Sequence, residues 1–297
     1  MIAVRHRTHA ALAAAGCLLL AAPLAAQTRA EQSHDFDTAE GRLLGFYSAS
    51  LLFTPVGIVA PASMGRVEVG VELGFVPQLD AEQRAIGSDK PENTNLAPVF
   101  PRPRVAASLP GGVLLEASWL PPVKVFGVKA NLLNAAVSAP LGAVAGVGLR
   151  GRVTAPFGHV EGAITCSGDV AEGGDADLQL YYAVICNGRD SEDRFEPRHV
   201  AAELVATSAR PRSVGGGTWT PWAALGLRRE RTRFDIGVMR EDGSRDPDHP
   251  ILRLHGTYAH GSLGAAWSGP RGMSLAGEVL YAPGSLVTAR LYAGVRR

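Results

Sequence analysis

Several groups of residues have types and spacings that could do chemistry. Gly146-Val147-Gly148-Leu149-Arg150-Gly151 matches GxGxxG, the pattern that seats a dinucleotide phosphate at the start of a helix. That use needs a strand before the pattern and a helix after it. Here Arg152-Val153-Thr154-Ala155-Pro156 continues as strand-like sequence and then stops, so the glycines read as room for side chains opposite them. His255 and His260 are five apart on a strand-like stretch, which puts them on opposite faces and away from a common metal ion. His159 and Glu161 share a face, but two ligands do not make a site. Asp169, Glu172, Asp175 and Asp177 crowd one loop, and Asp242, Asp246 and Asp248 another, without calcium-loop spacing. They read as solvated loop charge. No GxSxG elbow is present, and His260 with Ser262 on one strand does not supply a nucleophile with its base. The expectation is a protein that is not an enzyme, with no catalytic residues, no metal site and no cofactor.

The elements that would position any site are strands. In Arg66–Pro77, Val67, Val69, Val71, Leu73 and Phe75 alternate with Glu68, Gly70, Glu72 and Gly74, so one face is wholly apolar. Ten such segments follow from Arg66 onward, at 66–76, 99–109, 113–120, 123–133, 142–155, 199–210, 218–236, 250–267, 272–282 and 286–296. A charge-free run from Asn131 to Leu149 is long enough for a membrane helix, but Pro140, Gly142, Gly146 and Gly148 turn the reading to a turn and a strand. Long loops near 77–98, 156–198 and 237–249 fall on one side if the strands run up and down, and mostly short turns on the other. The polar faces carry Glu68, Glu72, Glu116, Lys124, Arg150, Arg152, Glu203, Arg228, Glu278 and Arg290, acids and bases that can pair across a narrow lumen. Trp119, Phe157, Trp219, Trp267 and Tyr281 fall near strand ends, where an aromatic belt lies. The expected fold is all-β, an antiparallel up-and-down transmembrane barrel over 66–297, of about ten strands, or twelve if 40–54 adds a hairpin.

The chain has 297 residues, with 35 Gly and 20 Pro falling in clusters that suit short strands and turns. Residues 1–26 have the plan of a secretory signal: Arg5 and Arg7, then an apolar run from Ala10 to Ala22, then small residues up to Ala26. An uncleaved anchor and a lipoprotein site at Gly16-Cys17 are the alternatives. Removing the signal takes away Arg5 and Arg7 and no acid, so the net charge falls from +1 to −1. With no basic run, nucleic acid is not an expected partner. Cys166 and Cys186 survive cleavage and are expected to form a disulfide in an oxidising compartment. In the segment 27–65, Asp37 and Glu40 have capping-box spacing before Leu43, Leu44, Tyr47, Leu51 and Leu52, which predicts a short amphipathic helix ending before Pro55. It would pack on the main body or, as the sharper reading, plug a barrel mouth.

On its signal and the alternating strands from Arg66 to Arg297, the chain resembles the Gram-negative outer-membrane β-barrel proteins. The resemblance implies a cell outer-membrane location, outer-membrane lipid around the wall, and insertion by the barrel-assembly machinery. Such proteins often end in Phe, whereas this chain reads Val295-Arg296-Arg297. The function expected is structural, adhesive or the porin-like passage of a small solute. Two alternatives stand beside it: a soluble periplasmic β-protein that binds a ligand or partner, and a lipid-modifying barrel enzyme.

Overall fold

The computed structural model describes residues 29–57, 65–79, 98–125, 127–168, 176–208 and 210–297, with short pieces at 85–86, 90–91 and 172. The expected signal over 1–26, with Cys17, lies outside the described residues.

Ten strands form the wall: β1 (Val67–Phe75), β2 (Val99–Ser108), β3 (Leu114–Leu120), β4 (Val128–Val144), β5 (Val147–Gly162), β6 (His199–Ser208), β7 (Gly217–Asp235), β8 (Ile251–Ser268), β9 (Met273–Ala282) and β10 (Leu286–Arg296). Each pairs antiparallel with the next, and β10 closes on β1 from Arg290 opposite Gly74 to Arg296 opposite Glu68. Closure removes the free edges that an open sheet would present. The alternation also sets which side is which. On β1, Val69 is 59 % exposed while Glu72, three residues on, is 0 % exposed, so the apolar face points outward and the charged face inward. A soluble sheet protein buries the opposite face. The fold is therefore a transmembrane β-barrel, and among the described residues no helix is long and apolar enough to cross a membrane.

β1 runs from the end with short turns toward the end with long loops. The connections after β1, β3, β5, β7 and β9 then share one mouth, here called the outer mouth, and those after β2, β4, β6 and β8 share the inner one. Trp219 and Trp267 are register partners near the inner mouth, while Trp119, Phe157 and Tyr281 sit toward the outer one. The belt between is apolar. Val71→Lys, at the middle of β1, should cost about 2–4 kcal/mol of bilayer insertion. Refolding into lipid vesicles would measure it, and insertion equal to wild type would mean that lipid does not meet this face.

Two sequence expectations give way here. The segments expected at 123–133 and 142–155 are instead Val128–Val144 and Val147–Gly162, joined by a two-residue turn at Ala145 and Gly146. Both turn residues have positive φ, 50° and 79°, which is the geometry that matches strand twist in a tight hairpin. Gly146, the first glycine of the GxGxxG pattern, is thus a turn glycine. Pro140 is carried inside β4 by a shift in register between Pro140 and Gly142, a bulge that leaves its missing N–H without a ladder duty. Secondly, 40–54 adds no hairpin. It holds α1 (Ala39–Ser50), whose N-cap is Thr38 rather than Asp37: the Thr38 hydroxyl accepts from Gly41 N at 3.0 Å.

The ladder between β2 and β3 is short. It runs from Ser108 opposite Leu114 to Arg104 opposite Ser118 and stops. Ser108 N donates to Arg66 O on the β1 side, and Leu109 N to Val113 O on the β3 side. Backbone groups alternate sides along a strand, so odd-numbered residues of β2 face β3. Pro101 and Pro103 are odd, and proline has no N–H to give. The ladder thus ends where its donors end, while pairing of the same stretch with β1 continues to Val99 opposite Phe75. β3 itself ends at Leu120, before Pro121 and Pro122, and leaves a gap in the wall near the outer mouth.

Candidate functional site

The chain before β1 enters the barrel from the outer mouth, with residues 39–57 inside. The short strand Glu31–His34 runs parallel to the outer end of β8, Glu31 opposite Ile251. After it, α1 packs Leu43, Phe46 and Ala49 against Leu280, Ala282 and Leu286 of β9 and β10, and Leu44 against Phe195, Phe234 and Leu254. Residues 51–57 then run down the lumen toward the inner mouth, where Tyr292 of β10 closes over Gly57 and Gly70. A Cβ on Gly70 would meet the Tyr292 ring at 2.6 Å, so this lumen face of β1 has room for the tyrosine because it carries glycine.

Residues 51–54 continue past the helix without regular secondary structure, so the carbonyls from Ser50 on need outside donors. Lumen arginines supply them. Arg290 donates to Ser50 O at 3.1 Å and also to Leu52 O. Arg102 donates to Leu52 O at 3.2 Å, Arg152 to Phe53 O at 2.6 Å, and Arg104 to Thr54 O at 2.8 Å. The Phe53 ring lies against three of the same guanidiniums, with Arg102, Arg104 and Arg152 at 5.2, 4.3 and 5.0 Å from its centroid. Thr54 Oγ1 accepts from Arg290 at 3.1 Å and donates to Glu278.

Burial of so many cations requires acids beside them. Glu72 accepts from Arg102, from Arg104 at 2.9 Å and from Arg290 at 3.4 Å. Glu116 joins Arg104 to Arg152, the second at 2.9 Å. Glu203 takes Arg152 at 2.5 Å and shares a hydrogen bond with His260 Nε2 at 3.0 Å. Arg228 pairs with Glu230 at 2.8 Å, and Ser48 of α1 donates to that same Glu230. Near the inner mouth Glu68 accepts from Arg296, Tyr292 and Ser274. The run from Glu278 through Arg290, Glu72, Arg104, Glu116 and Arg152 to Glu203 is continuous and holds residues 50–54 of the plug. His260 spends Nε2 on Glu203, and the Ser48 hydroxyl, which donates to Glu230, also lies 3.3 Å from His199 Nδ1.

Of the lumen residues expected from sequence, Glu68, Glu72, Glu116, Arg150, Arg152, Glu203, Arg228, Glu278 and Arg290 are buried inside. Lys124 is not among them. It is exposed on a small outer hairpin, opposite Lys129, because β4 begins at Val128 and not at 123. Arg102, Arg104 and Glu230 are lumen residues the sequence reading missed. Each has the alternation that marks the others, Arg102 and Arg104 between outward Pro101, Pro103 and Val105. Cys166 and Cys186 form the expected disulfide in the loop after β5. That loop carries α2 (Ala176–Val184) and is tied to the loop after β7: Asp193 accepts from Ile164 N, Thr165 N and Gly237 N. On the second loop Asp246 is held below the usual carboxylate range by the Asp248 backbone N–H and by Arg240.

A second feature adjoins the plug. The gap beside β2 opens into a cavity of about 450 Å³. Its lipid side is lined by Pro101, Pro103, Val123 and Val125, and its inner side by Tyr47, Leu51 and Phe195. The cavity is almost wholly apolar and of a size that small-molecule sites commonly have.

A closed antiparallel wall, apolar outside and charged within, is what defines the class of transmembrane β-barrels. No protein-family model matches the chain, and no characterised protein sequence does. Among solved structures the chain is similar to Ail, the attachment invasion locus protein of Yersinia pestis, at 9 % identity over 79 % of this chain and 99 % of that one, with a TM-score of 0.28. It is also similar to the Ralstonia pickettii toluene transporter TbuX, at 9 % identity over 79 % and 89 %, TM-score 0.28. A mutant of the Rh. blastica porin matches at 9 % identity over 78 % and 98 %, TM-score 0.20. At these scores the likenesses carry nothing about function.

Proposed function

We propose that the protein is an outer-membrane barrel that passes a small, uncharged, apolar solute through the gap in its wall, and not ions down its lumen. The observation that carries this reading is the apolar cavity beside β2, open where the β2–β3 ladder stops, next to a lumen closed by the plug and its arginines. A charged solute entering the cavity would leave water without gaining a partner. An apolar one keeps its surroundings on both sides. The outward apolar face supports a membrane location over a soluble periplasmic one. A structural or adhesive role is the second reading, favoured by the disulfide-stapled loop at the outer mouth.

Ala130 of β4 lines the cavity. Uptake of an alkylbenzene by intact cells is expected to rise severalfold on expression of the wild-type protein. It should fall back to background with Ala130→Trp, which fills the space, while folding judged by heat-modifiable gel mobility is kept. A sugar of similar size should show no rise. Equal alkylbenzene uptake with and without the protein would sink the passage reading and leave the structural or adhesive one.

A further inference from the structure

The outer wall between β5, β7 and β8 carries a dense set of cations at the height where its apolar belt ends. Along the outward face of β7, Trp219, Leu225 and Leu227 give way to Arg229 and Arg231, both exposed. The apolar stretch Trp219–Leu227 is about as long as a bilayer-spanning strand needs, so Arg229 begins where the headgroups lie. Arg231 N donates to Arg198 O at 2.6 Å, which sets the Arg198 side chain beside it. Arg194 and Arg253 complete the set.

These side chains surround a groove of about 1290 Å³. It exists because β5 loses its partner on one edge. β5 pairs with β6 as far as Thr154 opposite Ala201, and with the short strand Asp193–Glu196 from Val160 opposite Phe195. Residues 155–159 between have no ladder partner on that edge among the described residues. The lower wall of the groove is apolar, with exposed Phe157 and Val200. Its upper part holds the five guanidiniums. Among the described residues two carboxylates answer them: Glu196 pairs with Arg194 at 3.0 Å and Arg198 at 2.5 Å, and Glu31 pairs with Arg253 at 2.5 Å. Glu230 is turned inward to Arg228, and His255 faces Ser33. Arg229 and Arg231 have no acid within ion-pair distance among the described residues.

We infer that this groove binds the phosphorylated headgroup of an outer-leaflet lipid, with the lipid's chains lying down the wall over Val200, Leu204 and Leu227. The inference rests on the membrane reading given above. A guanidinium fork matches a phosphate with two parallel hydrogen bonds, and several forks with surplus positive charge suit a headgroup carrying more than one phosphate. The apolar floor selects an amphiphile over a free anion. The site lies on the outside of the barrel, and it meets the N-terminal segment through the Arg253–Glu31 pair and the contact of His255 with Ser33.

The test uses the full-length protein purified in neutral detergent. Its probes are diphosphorylated lipid A, the same lipid after phosphatase treatment, and inorganic phosphate, with binding followed by native mass spectrometry and fluorescence titration. Lipid A should bind at least about tenfold more tightly than the dephosphorylated form, and its affinity should fall as salt rises. Arg229→Ala/Arg231→Ala should lose about tenfold in affinity or more, with heat-modifiable mobility unchanged. Arg210→Ala/Arg212→Ala, which removes cations at the inner mouth, should bind as wild type does. Equal binding of both lipid forms overturns the inference, as does wild-type binding by the Arg229/Arg231 variant. Inorganic phosphate binding as tightly as lipid A would also overturn it, in favour of a soluble-anion site. A wild-type protein that stays soluble without detergent and does not enter vesicles would instead remove the membrane reading on which the inference stands.

Discussion

Glu72→Ala is expected to destabilise the folded barrel by about 3–5 kcal/mol, the cost of breaking a buried ion pair by removing one partner. Glu72 is fully buried and accepts from three arginines, Arg102, Arg104 and Arg290, and those same three donate to the carbonyls of the plug. Without the carboxylate, three guanidiniums face one another with one acid fewer between them. Glu72→Gln keeps the volume and some hydrogen bonds but loses the charge, so its loss should be smaller. Adding Arg102→Leu to Glu72→Ala should recover part of the difference, because the excess charge goes with it. Urea unfolding in detergent, read as the change in midpoint, would measure all three. A Glu72→Ala barrel as stable as wild type would mean that the lumen network does not hold the fold together.

Removing residues 29–57 should turn a closed protein into a conducting one. In planar bilayers the full-length barrel is expected to stay at background current, and the truncated barrel to give discrete, steady channels. The size of the effect follows from the hydrogen bonds that anchor the plug. Those from charged donors contribute about 1.5–3 kcal/mol each, and several act together on residues 50–54, so the spontaneous open population should be under about 1 %. A synthetic peptide covering 29–57, added from the outer side, should block the truncated channel. A truncated barrel that inserts and folds yet carries no current would show that the side chains alone close the lumen. Full-length protein that conducts freely would remove the plug from the account.

Much of this was legible along the strands. The alternation of Val67 to Phe75 with Glu68 and Glu72 shows two faces, and the face rich in both signs of charge had to be the one where partners lie close. What failed were the points where proline means different things. Pro140 reads as a breaker and is absorbed by a bulge inside β4. Pro101 and Pro103 obscured Arg102 and Arg104, which lie between and beside them, and the same prolines determine where the β2–β3 ladder stops. A strand that starts at 123 would put Lys124 in the lumen, whereas β4 starts at Val128. The plug was the hardest part to foresee. Helical spacing over 40–52 shows an apolar face without saying what covers it, and the acceptors that anchor residues 50–54 are backbone carbonyls, which every residue has.

The path of the chain also constrains how the molecule is made. Residues 29–34 lie at the outer mouth, and β1 starts at the inner one, so the polypeptide is threaded through a ring of hydrogen bonds that β10 completes by joining β1. Were that seam to form first, the helix and the segment before it would have to be pushed up through a passage filled with arginines. The simpler order has the wall fold around the plug as a mandrel, with the β1–β10 seam zipped last. The finished molecule is then a clasp that shuts over its own leading segment, with Glu31–His34 held at the mouth opposite the one where the last strand ends.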